Sequence, residues 1–167
     1  MLRGRLVTLR KATSDDVEAL VAIRATPAVR DRWGHGDAAA EVREHIEDPD
    51  LHYLAVVLDG RVVGAIQWSE EDDPMYRHAG IDLFLDPAVH GRGIGSDAVR
   101  MLCMHLIDTV GHHRLVIDPA ADNTAAIRCY AKVGFRPVGV MRRYEQGPDG
   151  TFHDGLLMDL LADELER

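Results

Sequence analysis

The chain has 167 residues, 46% of them hydrophobic, which is typical of one soluble domain with an ordinary apolar core. It carries 28 acidic and 19 basic residues, a formal net charge of −9, whereas a partner bound mainly through its phosphates requires an excess of Lys and Arg. The length excludes two full catalytic domains, and the charge argues against nucleic acid as a partner.

The first half of the chain alternates between strand and helix signals. The Asp59-Gly60 pair suits the two positive-φ positions of a type I′ turn, so the apolar runs on either side of it predict a β-hairpin. Residues 13–16 supply N-cap chemistry for a helix, and Pro27 and the segment 34–36 interrupt the helical pattern. The predicted elements are a strand near residues 6–8, a helix to about residue 24, a helix over 38–47, hairpin strands over 51–58 and 61–68, and a strand over 79–85 after an acidic loop at 70–74.

The second half opens on a glycine loop and continues with helices and strands in alternation. An apolar stripe at helical spacing follows Gly95, and Gly134 stands where a left-handed residue often ends a helix. The predicted elements are a long helix after the loop, a strand over 114–117, a helix starting at 123, and strands over 136–141 and 152–160. This order predicts an α/β fold in which a mixed sheet has helices on its faces.

The glycine loop, residues 91–95, joins a strand to a helix, where free backbone amides and the helix dipole favour an anion. A tight turn without a ligand is one interpretation. A triphosphate-binding P-loop is excluded because Ser96 follows Gly95 with no lysine between them. A dinucleotide fingerprint is partly matched, with Asp118 downstream, but the loop follows an antiparallel hairpin instead of opening a parallel sheet. The tight turn and the dinucleotide fingerprint stay open as alternatives. A third interpretation, on which the family resemblance below bears, is the pyrophosphate of coenzyme A bound on the amides of residues 91–96.

Two segments resemble the GCN5-related N-acetyltransferase (GNAT) superfamily. The run His90-Gly-Arg-Gly-Ile-Gly95 is similar to its cofactor signature, with His90 in the place of a Gln or Arg. Residues 122–135 are similar to its second cofactor segment, and residues 2–160 follow its element order. The resemblance implies one domain over residues 1–167, built on a centrally splayed sheet of about six to seven parallel and antiparallel strands with helices on both faces.

The same resemblance implies acetyl-CoA as the cofactor. In this family the asparagine bonds the pantetheine arm and the tyrosine lies near the sulfur, so Asn123 is expected to bind cofactor and Tyr130 to protonate the departing thiolate. Seven residues separate the two, about two helical turns, which places both on one helix face. An N-cap asparagine and a half-buried helix tyrosine are the alternative. The resemblance further implies that strand amides around 84–86 polarise the thioester carbonyl, and the implied cofactor-binding residues are Phe84, Leu85, His90, Gly91, Arg92, Gly93, Ile94, Gly95, Ser96 and Asn123.

The acceptor side requires a base, because an ammonium has no lone pair to attack a thioester. For an amine about two to three pK units above pH 7, reaching the neutral form costs roughly 3–4 kcal/mol. Asp82 is the one ionisable residue inside the predicted strand 79–85, where a carboxylate is costly unless it is paired. We expect Asp82 to bind the acceptor or take its proton, directly or through a water; a salt bridge with Arg77 or a histidine is the alternative. Asp118, ending the next strand, faces the same cleft or serves as a turn residue before Pro119.

Aminoglycoside N-acetyltransferases, particularly of the 6′ type, are similar to this chain in four segments, residues 68–74, 80–82, 117–119 and 126–130. This resemblance implies that Asp82 and Asp118 engage amines of the drug, with Asp82 as the base. The residues implied at the border of the acceptor pocket are Trp68, Glu70, Glu71 and Asp73. Eleven acids and two bases fall within residues 44–86, so this stretch accounts for the whole net charge and would steer a polycation. A solvated loop tip is the alternative interpretation of residues 70–73.

The remaining features bear on setting and partners. Cys103 and Cys129 lie in apolar periodic segments, which predicts packed thiols in a reducing cytoplasm. No stretch approaches the ~20 apolar residues of a membrane span, the N-terminus has no export signal, and no paired-histidine or Cys-x-x-Cys spacing indicates a metal. We expect a monomer or homodimer that acetylates an aminoglycoside, with the 6′-amine favoured, by direct attack in a ternary complex. A protein N-terminus or polyamine is the alternative acceptor, and a non-catalytic acyl-CoA-binding regulatory module is the second alternative.

Overall fold

One mixed sheet of eight strands runs through the molecule in the computed structural model, which describes residues 1–34 and 36–167. The strand order is β1-β2-β3-β4-β5-β6-β8-β7. The strands are β1 (Leu2–Arg3), β2 (Thr8–Lys11), β3 (His52–Leu58), β4 (Arg61–Glu71), β5 (His78–Leu85), β6 (Arg114–Ile117), β7 (Arg136–Gln146) and β8 (Phe152–Leu161). The mixed α/β architecture is confirmed. The sheet exceeds the expected six to seven strands because the N-terminus folds back, with Leu2 paired to Leu9.

Helices cover both faces of this sheet. They are α1 (Val17–Arg24), α2 (Pro27–Arg30), α3 (Ala38–Glu47), α4 (Ile94–His105) and α5 (Thr124–Ala131). One apolar cluster joins α1, α2 and α3 to inward residues of β3 and β4 such as Tyr53 and Ala65. A larger cluster joins α4 and α5 to the opposite face, where Ile66 and Leu102 are fully buried. Because successive strand residues point to opposite faces, neighbouring positions on β4 and β5 serve different clusters.

Several predicted elements are present with changed limits. The hairpin turn is confirmed, since Asp59 and Gly60 have φ of 49° and 79°. Strand β4 continues to Glu71, so the first two acids of the predicted loop lie on a strand. Pro27 starts a short helix instead of only interrupting one, because proline is tolerated at the first helical position. In the predicted break at 34–36, His35 lies outside the described residues.

The sheet opens at its centre. The parallel strands β5 and β6 pair only through Ala79 with Leu115 and Gly80 with Val116. Beyond these pairs β5 continues for five residues to Leu85 on the side of β4, while β6 ends at Ile117 and pairs with β8. The two strands therefore diverge, and the space between their ends is available for ligands.

Helix α4 is fixed beside this opening by a buried carboxylate. Asp97, in the first turn of α4, accepts backbone N–H bonds from Arg5, Leu6 and Val7 at 3.1, 2.8 and 3.1 Å. The aspartate is 7% exposed, so these bonds lie within the protein and are weakly screened. These hydrogen bonds connect residues 5–7 to the first turn of α4 and thereby fix the position of the glycine loop that precedes it.

Candidate active site

A cleft of about 390 Å³ lies between the end of β5, the first turn of α4 and helix α5. It contains most of the residues expected to bind the cofactor. Those that line the cleft are Phe84, Leu85, His90, Gly91, Gly93, Ile94, Gly95, Ser96, Asn123 and Tyr130; Arg92 stands between two of them in the loop. The sequence therefore identified one contiguous surface, whose elements are brought together by the splay of the sheet.

The glycine loop turns its backbone toward this cleft in a conformation that side chains disfavour. Gly91 and Gly93 have φ of 73° and 80°, and Gly93 is the N-cap residue of α4. A Cβ on Gly95 would come within 3.1 Å of the Cys129 sulfur, so the approach of α4 to α5 also requires glycine there. His90 anchors the loop, with its Nε2 3.2 Å from the carbonyl oxygen of Leu85. The first amides of a twelve-residue helix are thus presented to the cleft, an arrangement that suits a pyrophosphate.

Helix α5 supplies two side chains on the opposite wall. Asn123 caps the helix, because its side-chain oxygen accepts from the amide of Ala126 at 3.2 Å, and it also lines the cleft. Tyr130 is only 6% exposed. Burial, together with the charges of Asp82, Cys129 and Asp118, raises the pKa of the Tyr130 hydroxyl well above its usual value. The phenol therefore keeps its proton at neutral pH.

A second, smaller cleft of about 180 Å³ opens next to Tyr130 between β4, β5 and β6. Asp82 and Asp118 both line it, each two residues beyond the paired residues Gly80 and Val116. Side chains two apart on a strand share a face, so the parallel pairing brings the two carboxylates to the same side of the sheet. Asp118 meets the expectation of facing the cleft of Asp82.

Asp82 has an unusual environment for a carboxylate. Its side chain is accessible through the mouth of the cleft, yet the surrounding protein displaces enough water that burial raises its pKa to about 7. The amide of Leu83 donates to Asp82 at 2.9 Å and opposes this rise, whereas the charges of Asp118 and Glu145 add to it. The expected alternative, a salt bridge with Arg77, is absent from the described residues. Arg77 donates instead to the carbonyls of Gly111 and Val110.

Two of the predicted acceptor-pocket residues belong to the face of β4 opposite to that of Gln67 and Asp82. Glu70 approaches Nε2 of the buried His112 at 2.9 Å and Arg77 at 3.9 Å. Trp68 borders the cleft, but its ring stacks on His52 at 3.7 Å, on the face of β4 that packs against α4. Both residues occupy alternate positions to Gln67, whose register partner is Asp82, so strand geometry assigns them to the opposite face.

The other members of the acidic run are exposed near the cleft. Glu71 shares the strand face of Gln67, and Asp73 follows in the loop. Each accepts a backbone amide within the turn, Glu71 from Asp73 and Asp73 from Met75. Neither lines the 180 Å³ cleft. Their role as a charged border of the acceptor pocket stays a prediction.

Three residues near the cleft were missed in the sequence analysis. Gln67 lines it with a buried side-chain oxygen that has no partner among the described residues. Tyr144 and Glu145 lie on β7, three and four residues beyond its predicted end. Asp118 raises the pKa of Tyr144, and burial followed by the charge of Asp118 raises the pKa of Glu145. The alternation of β4 with Asp82 as register partner was the signal available for Gln67. The two β7 residues depend on a bulge for which no sequence rule exists.

Comparison with known proteins agrees with this geometry. The family model described as "Acetyltransferase (GNAT) domain" matches residues 6–136. An aminoglycoside N(6′)-acetyltransferase type 1 from Klebsiella pneumoniae is 32% identical, covering 86% of this chain and 79% of that protein. The N-alpha-acetyltransferase RimI from Mycobacterium tuberculosis is 30% identical, covering 83% and 84%. A solved structure of AAC(6′)-Ib in complex with paromomycin and acetyl-CoA superposes with a TM-score of 0.78 at 27% identity, over 97% of this chain and 98% of that one.

The chain belongs to the GNAT acetyltransferase family. It is an acetyl-CoA-dependent N-acetyltransferase, and the cleft beside the glycine loop is lined by most of the residues expected to bind that cofactor. Among residues 1–34 and 36–167, no three His, Cys, Asp or Glu side chains cluster as metal ligands do. Within the same residues, no helix combines the length and apolar character needed to cross a bilayer.

Proposed function

We propose that this protein acetylates an amine of an aminoglycoside, with the 6′-amine favoured, in a ternary complex with acetyl-CoA. The single observation that carries the proposal is the pair Asp82 and Asp118, side by side in a cleft that adjoins the cofactor cleft at Tyr130. Two carboxylates within a small cleft of low dielectric favour a ligand with more than one positive charge. The likeness to the Klebsiella pneumoniae enzyme supports the same acceptor class.

Asp82 is the proposed base. A general base works best when its pKa lies near the working pH, and the pKa of about 7 at Asp82 meets this condition. At pH 7.5 most of its carboxylate is ionised and ready to take a proton from the acceptor ammonium, directly or through a water. Asp118 holds a second cationic group and orients the acceptor.

Tyr130 and the end of β5 are proposed to act on the thioester side. Acetyl-CoA supplies the acetyl group and a thiolate leaving group. The Tyr130 hydroxyl, which retains its proton at neutral pH, donates that proton to the thiolate. The amide of Asp86 is already bonded to the carbonyl of Val63 at 2.8 Å, and alternate amides of a strand point in opposite directions. The Leu85 amide therefore points into the splay and is the proposed donor to the thioester carbonyl; the Phe84 residue lines the cleft.

The wider setting follows from the same proposal. Cys103 and Cys129 are both free thiols, which suits a reducing cytoplasm where an aminoglycoside meets its target. The protein is proposed to work there as a monomer or homodimer. A protein N-terminus and a polyamine remain the alternative acceptors, the former favoured by the likeness to RimI.

A thiol-release assay with acetyl-CoA tests the acceptor directly. The panel consists of aminoglycosides with and without a 6′-amine, spermidine, and short basic peptides, followed by mass and NMR mapping of the product. We expect the highest kcat/KM with aminoglycosides that carry a 6′-amine. Turnover of peptides or spermidine alone overturns the proposed acceptor, and acetylation at another amine overturns the proposed position.

A further inference from the structure

Strand β7 contains a bulge near the acceptor cleft. Four residue steps from Met141 to Glu145 on β7 oppose only two steps on β8, from Gly155 to His153. Within the bulge Arg143 has φ of 48°, a left-handed value found at one other non-glycine residue of the described chain, in the hairpin turn. Its amide donates to the Asp154 carboxylate at 2.8 Å, which holds the bulge in place. Regular strand pairing is interrupted here, and a bulge of this kind changes the direction of the side chain that follows it.

The next side chain is Tyr144, and it lies across β8. A Cβ built on Gly155 would come within 3.0 Å of Tyr144 Cδ1 and 3.3 Å of Met141 Cε, so the ring covers the bare backbone of this glycine. Gly155 also forms a bridge with Ala120. The ring therefore crosses from β7 over β8 toward the segment that follows β6.

That segment begins at Asp118. The amide of Leu156 donates to the carbonyl of Pro119 at 2.8 Å, so the chain immediately after Asp118 runs beside Gly155. In agreement with this path, Asp118 raises the pKa of the Tyr144 hydroxyl, first by hydrogen bonding and then by its charge. Tyr144 is nevertheless 52% exposed, which leaves much of its ring open to a ligand.

We propose that Tyr144 is a positioning and specificity residue of the acceptor site: its hydroxyl holds Asp118, and its ring forms the outer wall of the acceptor cleft. In this arrangement the Tyr144 hydroxyl is proposed to donate to one oxygen of Asp118, and the other oxygen is left to accept from an acceptor amine. The exposed ring offers an apolar surface to the carbon framework between the amines. This inference rests on the proposed function for the class of acceptor but assigns a residue that the reaction itself does not require.

Three variants separate the parts of this role. Tyr144→Phe keeps the ring and removes the hydroxyl, Tyr144→Ala removes both, and Gly155→Ala displaces the ring without removing a polar group. Phe152→Ala is the matched control, because Phe152 is an exposed aromatic residue (56%) on the neighbouring strand. Each is assayed with whichever acceptor the wild-type protein turns over best, and its melting temperature is measured in parallel.

We expect Tyr144→Phe to raise the acceptor KM about tenfold, since a hydrogen bond to a charged group is lost, with kcat within about twofold and the acetyl-CoA KM unchanged. Tyr144→Ala should raise the acceptor KM further, and the acceptor KM of Gly155→Ala should lie between those of the two Tyr144 variants. The Phe152→Ala control should leave all three constants unchanged. An acceptor KM that stays at the wild-type value in Tyr144→Phe and Tyr144→Ala overturns the inference.

A titration independent of turnover separates this inference from the acceptor assignment. Asp118 also raises the pKa of Tyr130, so the ultraviolet titration of tyrosine ionisation is done in the Tyr130→Phe background. There Asp118→Asn should lower the pKa of one tyrosine, and that change should vanish when Tyr144→Phe is added. A titration that Asp118→Asn leaves unchanged contradicts the contact even if aminoglycosides prove to be substrates. A positive titration with no aminoglycoside turnover overturns the proposed acceptor and leaves the contact established.

Discussion

The two clefts of this protein recognise their ligands by different means. The cofactor cleft presents the backbone amides and glycines of the loop, and it is also lined by the basic residues Arg32, Arg128 and Lys132. The acceptor cleft presents the side-chain carboxylates Asp82 and Asp118, with Glu145 close enough to shift the pKa of Asp82. Backbone recognition depends on local conformation, whereas side-chain recognition depends on which strands are neighbours. Substitutions in the cofactor cleft should therefore change the acetyl-CoA KM, and substitutions in the acceptor cleft should change the acceptor KM or kcat.

The largest expected effect is at Asp82. Asp82→Asn should lower kcat about 10²- to 10⁴-fold, because the acceptor ammonium loses its base, while acetyl-CoA binding measured by calorimetry is retained. Asp72→Asn, on the exposed loop, is the control and should match the wild type. Full turnover in Asp82→Asn would show that the base is another group.

The pH profile offers a second measurement on the same carboxylate. The pKa of Asp82 is raised to about 7, so it is protonated and inactive below this pH and ionised above it, and kcat/KM should rise with a midpoint near 7. The free energy of unfolding should change in the opposite direction to kcat/KM. Between about pH 4 and 7 the folded state binds the Asp82 proton more tightly than the unfolded state does, so the contribution of Asp82 to the free energy of unfolding falls as the pH rises through that range. At pH 8 the melting temperature of Asp82→Asn should thus be no lower than that of the wild type. If kcat/KM of this variant still rises with a midpoint near pH 7, the assignment of that midpoint to Asp82 is wrong.

Tyr130 should have the next largest effect, at the junction of the two clefts. Tyr130→Phe is expected to lower kcat about tenfold to a hundredfold with little change in either KM, because the departing thiolate loses its proton donor but is itself a good leaving group. The exposed Tyr76 provides the control variant Tyr76→Phe. If Tyr130→Phe alters only the acetyl-CoA KM, the tyrosine packs against the cofactor and transfers no proton.

The glycine loop should respond on the cofactor side alone. Gly93→Ala places a Cβ at φ of 80° and changes the amides at the start of α4, so we expect the acetyl-CoA KM to rise about tenfold and the acceptor KM to stay constant. Gly150→Ala is matched, because Gly150 has φ of 78° in an open turn. Both variants should lose about 1 kcal/mol of folding free energy, measured by urea unfolding. If the acetyl-CoA KM is the same in the two variants, the glycine loop does not bind the cofactor.

The smallest expected effect is at the charged border. The double variant Glu71→Lys with Asp73→Lys should raise the acceptor KM about two- to fivefold in dilute buffer, and the difference should disappear near 1 M salt, where the Debye length is about 3 Å. Steady-state kinetics at both salt concentrations measure this. A KM that the charge reversal leaves unchanged in dilute buffer would count against a cationic acceptor.

Local chemistry was enough to predict a large part of the fold. The Asp59-Gly60 turn, the N-cap chemistry of residues 13–16 and the glycine loop each depend on residues within one turn of each other, and all appear in the structure. Asp82 was predictable because a charged residue inside an apolar strand is rare. Glu70 shows the limit of such reasoning: its carboxylate binds His112, a residue 42 positions away, on the other face of the sheet.

The sequence by itself determined the family, the glycine loop, the cofactor segment and the candidate base, because each is written in short motifs whose chemistry is local. Only the tertiary structure decided which side chains share the acceptor cleft. The pairing of Gly80 with Val116 puts Asp82 and Asp118 on one face of the sheet, and the bulge at Arg143 places the Tyr144 ring over Gly155, on the proposed path toward Asp118. These arrangements depend on strand register and on pairing between residues far apart in the chain, and a shift of one residue would turn each side chain to the opposite face.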